Sequence, residues 1–184
     1  MTKPEKGHLL ISEPSIIGDL SFNRSVILLA DHNHLGSVGF ILNKPLAFCL
    51  KDIIANTSSE FVIYNGGPVE QDNLYYIHKI PHLIPNSLEI GNGMFWGGNF
   101  EVALQLINSE EITENDIRFF LGYSGWEEHQ LQNELKYNTW LVSENIYQSQ
   151  IIAKCCSTFW RDKMLELGDN YSIWSNAPEN PILN

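Results

Sequence analysis

Positive charge is scarce in this chain: 11 Lys and Arg stand against 22 Asp and Glu, for a formal charge of −11. Nucleic-acid binding draws most of its affinity from basic side chains that neutralise phosphates. The tightest basic group here is Lys154, Arg161 and Lys163, with no basic stripe interleaved with aromatics of the kind a single-strand binder uses. The same balance disfavours anionic membranes and polyanionic substrates. Long hydrophobic runs are missing too. The longest unbroken one is Val26-Ile27-Leu28-Leu29-Ala30, far short of the ~20 residues of a spanning helix. The patch His8-Leu9-Leu10-Ile11 behind the first residues is too short for a signal-peptide core, so the expected compartment is the cytosol. Cysteine is sparse: Cys49 alone, then the adjacent Cys155 and Cys156. That spacing gives neither a disulfide framework nor a zinc site.

The rest is a globular composition, 43% hydrophobic and 18% charged over 184 residues. It suits one domain over 1–184, with a short irregular tail from about residue 169. Gly7 to Ser12 reads as a strand. Ser25 to Asp31 and Ser37 to Leu42 are two apolar, β-branched runs joined through His32-Asn33-His34-Leu35-Gly36, the pattern of a hairpin in a covered position. The spacing of Leu50, Ile53 and Ile54 predicts a helix over 48–56. Phe61 to Tyr64 reads as a strand stopped by Asn65-Gly66-Gly67-Pro68, and Leu74 to Ile80 as the next. Met94-Phe95-Trp96 is a short extended segment, and Asn99 can cap a helix reaching Ile107. A strand over 117–122, a helix over 127–136, a strand over 139–142 and a last helix from Ser157 or Thr158 to Gly168 complete the reading. The expected class is α+β, with a mostly antiparallel or mixed sheet, barrel-like closure as one option, and helices packed around it.

Four groupings invite chemistry. In Asp31-His32-Asn33-His34 two histidines two apart on a strand would share a face, but no third or fourth ligand has recognisable spacing, so polar turn residues are the simpler reading. Gly122-Tyr123-Ser124-Gly125-Trp126 approaches a nucleophile elbow, with His129 nearby, yet has Trp126 where the pattern needs glycine. The simpler reading is a strand turning tightly into a helix, with Trp126 in the core. Asn65-Gly66-Gly67-Pro68 offers main-chain N–H groups, but lacks the glycines or lysine of a phosphate or dinucleotide fingerprint, so no cofactor is expected. Glu127 and Glu128 fit the start of a helix, where its dipole favours negative charge. Cys155 and Cys156 have only Lys154 beside them to favour a thiolate and read as structural thiols.

Three ordered segments resemble a known family. The first is Phe22-Asn23-Arg24-Ser25-Val26, with Asp31-His32-Asn33, Gly36, Gly39 and Asn43-Lys44-Pro45-Leu46; the second is Gly66-Gly67-Pro68. The third is Leu121-Gly122-Tyr123, Trp126-Glu127, Gln130-Leu131 and Glu134, closing on Trp140-Leu141. Together they are similar to the signatures of the YqgE/AlgH family. The resemblance implies a compact α+β cytosolic protein under a label, transcriptional regulator, that covers a regulator of exopolysaccharide production. It brings no catalytic residue, metal or cofactor. The same segments supply the candidate ligand-binding groove: Asn43, Lys44, Gly66, Gly67, Tyr123, Trp126 and Gln130, a mix of amides, an ammonium, turn glycines and amphipathic aromatics that a core rarely needs together. The alternative is that they fix turns and packing. The expected function is a non-enzymatic regulatory or interaction protein with a protein or small-molecule partner. The alternatives are a small-molecule hydrolase, or an anion- or nucleotide-binding module built on Lys44 and the Gly66-Gly67 turn.

Overall fold

Residues 9–11 and 26–30 are apolar at every position, so neither face of these segments can be left to solvent. In the computed structural model, which describes residues 2–14, 21–154 and 158–176, they form the inner strands β1 (Leu9–Ser12) and β2 (Val26–Asn33) of a ten-stranded sheet. The expected hairpin forms and leads into β3 (Gly36–Ile41), its turn closed by Leu35 N donating to Asn33 Oδ1 at 2.8 Å. The other strands are β4 (Pro45–Cys49), β5 (Val62–Asn65), β6 (Val69–His78), β7 (Leu88–Gly91), β8 (Met94–Trp96), β9 (Ile117–Glu127) and β10 (Trp140–Ser143). Their order is β10-β1-β2-β3-β9-β6-β8-β7, with β5 also on β9 and β4 on β5. Every pairing is antiparallel except β5 with β9. The sheet stays open between β10 and β7, so the barrel-like option is not realised and the α+β class holds.

Strand β9 divides the core. Its first half lies between β5 and β6, and its second half, 124–127, pairs with β3. Side-chain alternation sends Phe120 into a cluster with Leu28, Phe40 and Trp160, and Ile117 and Phe119 into another with Ile63, Tyr76 and Ile107. Trp126 joins a third cluster with Ile27, Leu131 and Trp140. The helices α1 (Leu50–Ile53), α2 (Phe100–Asn108), α3 (Gln130–Lys136), α4 (Phe159–Glu166) and α5 (Asp169–Ser172) sit around the sheet. Asn99 caps α2 as expected, its Oδ1 accepting from Val102 N at 3.1 Å.

Several expectations need correction. The helix over 48–56 shrinks to the single turn α1, preceded by the unforeseen β4, because Leu50 N and Lys51 N donate to Phe61 O and Ser59 O rather than to a preceding helical turn. The helix over 127–136 begins only at Gln130: Glu127 stays in the ladder opposite Gly36, and His129 is left-handed at φ 65°. Glu127 and Glu128 therefore precede the first turn of α3 rather than occupying it. The tail is not irregular from 169, since α5 and a 3-10 turn at Ile173–Asn176 follow Gly168. Strand β7 carried no readable signal because three of its four residues are exposed or half-exposed. Cys155, Cys156 and residues 177–184 lie outside the described residues.

Candidate functional site

The middle signature has a geometric task. Strands β5 and β6 flank opposite edges of β9, yet only Gly66, Gly67 and Pro68 connect them. The chain must cross the face of β9 in contact with its backbone. A Cβ on Gly66 would lie 2.2 Å from Gly122 O, and one on Gly67, whose φ is 150°, would lie 2.3 Å from Tyr123 C. The crossing is pinned by Gly66 N donating to Leu121 O at 2.9 Å, Gly67 N to Asn65 Oδ1 at 3.0 Å, and both Ile41 N and Ser124 Oγ to Gly66 O at 3.0 and 3.1 Å.

The third signature builds a carboxylate clamp. Trp126 Nε1 and Trp140 Nε1 both donate to Glu134 Oε2, at 2.8 and 2.7 Å, and Gln130 Nε2 donates to Glu134 Oε1 at 2.8 Å. Buried indole N–H groups need acceptors, and Glu134 serves two of them. The two indoles meet edge to face at 5.9 Å between centroids, and Phe22 from the first signature packs on both. Gln130 Oε1 accepts from Glu127 N at 3.0 Å, tying the end of β9 to α3.

On the opposite face of these strands lies an open cleft of ≈ 580 Å³. Strand alternation places Asp31 and Asn33 of β2, Gly36 and Val38 of β3, and Tyr123, Gly125 and Glu127 of β9 along it. Val69 and Leu35 add apolar wall, and Gln130 and the edge of Trp126 complete the lining. Among the described residues its charged groups are carboxylates, and no Lys or Arg lines it. Asp31 accepts from Asn33 Nδ2 at 2.9 Å, and Lys6 Nζ approaches it to 4.0 Å, the outer limit of an ion pair.

The candidate groove residues divide. Tyr123, Trp126 and Gln130 line the cleft. Gly66 and Gly67 are buried at the crossing, with Gly67 against the backbone of Tyr123. Asn43 braces the turn before β2, accepting from Val26 N at 2.9 Å and donating to Arg24 O at 2.7 Å, and Lys44 Nζ donates to Ser21 O at 2.7 Å. Lys44 O accepts from Asn65 N, so the three signatures do meet through the main chain, but not all in one groove. Asp31, Asn33, Val38 and Glu127 were not among the candidates. Asp31 and Asn33 stand in the first signature, but only the period-two alternation of β2, β3 and β9 puts all four on one face, and it needs the register between those strands.

The other groupings also resolve. Ser124 is fully buried with its hydroxyl on Gly66 O, while His129 is exposed and contacts Glu128 at 3.2 Å. His32 Nδ1 lies 2.7 Å from Ser37 Oγ, and His34 sits in the turn. Among the described residues no group of three or more His, Cys, Asp or Glu is gathered as a metal would need. Lys163 is buried beside Glu166 at 2.7 Å, and Lys154 and Lys163 stack on the Tyr147 ring at 4.3 and 4.7 Å, so they present no basic face. Remote from the cleft, His78 accepts from Ile80 N at Nδ1 and lies 3.2 Å from Gly97 O at Nε2, which assigns the neutral Nε2–H tautomer. Burial lowers its pKa to about 4, against a weaker opposing pull from Gly97 O.

An α+β domain with an open mixed sheet, a three-residue strand crossing and an acidic cleft is the class these features define. A family model described as AlgH-like matches residues 9–172, and the chain belongs to that family. It is 42% identical to a UPF0301 protein of Bacteroides fragilis over 98% of this chain and 92% of that one. To a UPF0301 protein of Chlorobium limicola it is 37% identical, over 99% and 97% of the two chains. The solution structure of the AlgH protein from Pseudomonas aeruginosa matches with a TM-score of 0.72 at 26% identity, covering 97% of this chain and 98% of that one. A protein from Corynebacterium diphtheriae, DIP2367, shares the fold with a TM-score of 0.78 at 22% identity, covering 96% and 94%. No helix among the described residues is long and apolar enough to cross a membrane.

Proposed function

We propose that the protein is a non-enzymatic regulatory or interaction protein of the cytosol whose contact surface is the cleft over β2, β3 and β9. The observation that carries this reading is the make-up of the cleft: carboxylates, amides and a phenol around an apolar floor of Val38, Val69 and Gly125. Clefts of this size and mixed lining hold small ligands or partner side chains. The hydrolase alternative loses its nucleophile, because Ser124 turns its hydroxyl into the strand crossing. The anion-binding alternative is weakened, because Gly66 N and Gly67 N already donate within the chain and Lys44 Nζ is held on Ser21 O. Regulation through direct DNA contact runs against the charge of −11.

The test is a thermal-shift screen of metabolites, nucleotides and metal salts on the parent and on Tyr123→Ala. A ligand at about 100 times its dissociation constant stabilises by about 2.7 kcal/mol. Stabilisation of the parent that is lost in Tyr123→Ala is the expected result. Hits that stabilise both proteins equally would move the site elsewhere, and turnover of a hit would restore the enzyme reading.

A further inference from the structure

The second half of β9 has an edge to which no strand among the described residues is paired. On one side, Ser124 to Glu127 pair with Gly39 to Gly36 of β3. On the other side the ladder with β6 ends at Val69 opposite Tyr123, because the chain upstream of Val69 is the crossing itself. Pro68, the last crossing residue, has no N–H to extend the ladder. Trp126 O faces β3, 2.4 Å from where a Cβ on Gly36 would lie, while Glu127 N donates to the Gln130 side chain at 3.0 Å. Alternation then directs the N–H and C=O of Gly125 to the same outer side. That edge borders the cleft: Val69, Tyr123, Gly125, Glu127 and Gln130 all line it.

We propose that this edge accepts an extended, basic segment of a partner protein as an added strand, in line with β6. Strand addition draws affinity from main-chain hydrogen bonds and specificity from alternate side chains. Gly125 supplies the main-chain donor and acceptor, and its lack of a side chain leaves the backbone open beside the Tyr123 ring, which a Cβ would meet at 3.1 Å. Charge complementarity names the occupant. Glu127 and Asp31 line the cleft with no Lys or Arg in its walls among the described residues, and Glu128 and Glu70 flank the edge and are exposed. Lysines on the cleft-facing side of an added strand would meet Glu127 first, beside Val69 and Tyr123, while apolar residues at the alternate positions would lie on the opposite face, the side that Trp126 takes. An acidic or phosphorylated segment would be repelled by the same groups. The proposal rests on the reading of the cleft as the contact surface, and narrows it to one kind of partner.

The test titrates the full-length, isotope-labelled protein with a blocked hexapeptide of alternating lysine and valine, followed by amide chemical shifts. Expected are saturable shifts at Val69, Tyr123, Gly125 and Glu127 that weaken as salt is raised. Methylating the peptide nitrogens on the pairing edge removes its donors and weakens binding by about tenfold or more. Gly125→Pro, which deletes an outward N–H at an edge where proline is tolerated, weakens it likewise. Should that variant fail to fold, the methylated peptide still decides. Equal binding of plain and methylated peptides would overturn strand addition while leaving the cleft as a contact surface. Equal binding of a glutamate–valine peptide would overturn the basic partner. If neither peptide moves the cleft resonances, the proposal fails, and the thermal-shift screen then judges the cleft separately.

Discussion

The two halves of β9 are made of similar material and meet opposite surroundings. Phe119 to Leu121 have strands on both edges, and Ile117 to Phe120 are buried on both faces, with Phe119 and Phe120 fully enclosed. Ser124 to Glu127 keep one strand neighbour and one buried face, where Trp126 is held. The boundary is Gly122, at φ 69°, where three residues of the preceding connection pass over the strand. One strand thus does two jobs. Its closed half joins two hydrophobic clusters, and its half-open end leaves main chain beside a cleft.

The crossing should be the most fragile point of this division. Gly66→Ala would place a Cβ 2.2 Å from Gly122 O, against backbone that cannot step aside. We expect a loss beyond about 4 kcal/mol, read as failure to accumulate as soluble protein or collapse of the unfolding midpoint. A near-parental midpoint would mean that β9 is not tightly crossed, and the two halves would merge into one strand.

Trp126→Ala probes whether the half-open end is loosely held. Its ring is 5% exposed and its N–H is clamped on Glu134, so truncation should cost about 3–5 kcal/mol by chemical denaturation. A cost below about 1 kcal/mol would make the second half soft as well as open.

Acid should act on the closed half. His78 pairs with Ile117, and burial holds its folded pKa at about 4 against an ordinary 6.5. Between those values the unfolded chain binds more protons than the folded one, so the contribution of neutral His78 is complete above pH 6.5 and is lost as pH falls towards 4. The loss should be about 2–3 kcal/mol, and His78→Gln should flatten that part of the stability–pH curve even if its midpoint is lower throughout.

The smallest effects come from single hydroxyls on either side of the boundary. Tyr76, opposite Phe119, buries a hydroxyl that has no hydrogen-bond partner among the described residues, and burial raises its pKa to about 12. Tyr76→Phe should stabilise by up to about 1 kcal/mol. Ser124→Ala removes a donor to Gly66 O, but that carbonyl keeps Ile41 N, so a cost of about 1 kcal/mol or less is expected. Opposite signs in paired melts would confirm which hydroxyl is satisfied.

Local pattern made much of this legible before any fold was known. The apolar runs at 9–11 and 26–30, the hairpin between β2 and β3, the Asn99 cap and the burial of Trp126 follow from residue type and spacing alone. The strands β4 and β7 did not, since a strand half exposed at an edge carries no apolar alternation. Nor did the length of β9: glycines at 122 and 125 read as a turn into a helix, whereas a positive φ at Gly122 lets the strand continue.

The candidate groove shows the same limit at the level of side chains. Conspicuous residue types marked Asn43, Lys44, Gly66 and Gly67, and tertiary contacts gave them bracing and crossing duties. Tyr123 reached the cleft because it falls on the outer face after the Gly122 irregularity, while Trp126 on the inner face found Glu134 eight residues on. By itself, the sequence determined the acidic charge, the α+β class, the apolar inner strands and the three signatures, because these depend on composition and short periods. Only the tertiary structure decided that β5 and β6 flank β9 through a three-residue crossing, and that Asp31, Val38, Tyr123 and Glu127 share a cleft. Those relations depend on strand register between segments up to 96 residues apart, from Asp31 to Glu127, and register is set by pairing across the sheet rather than by any local run of residues.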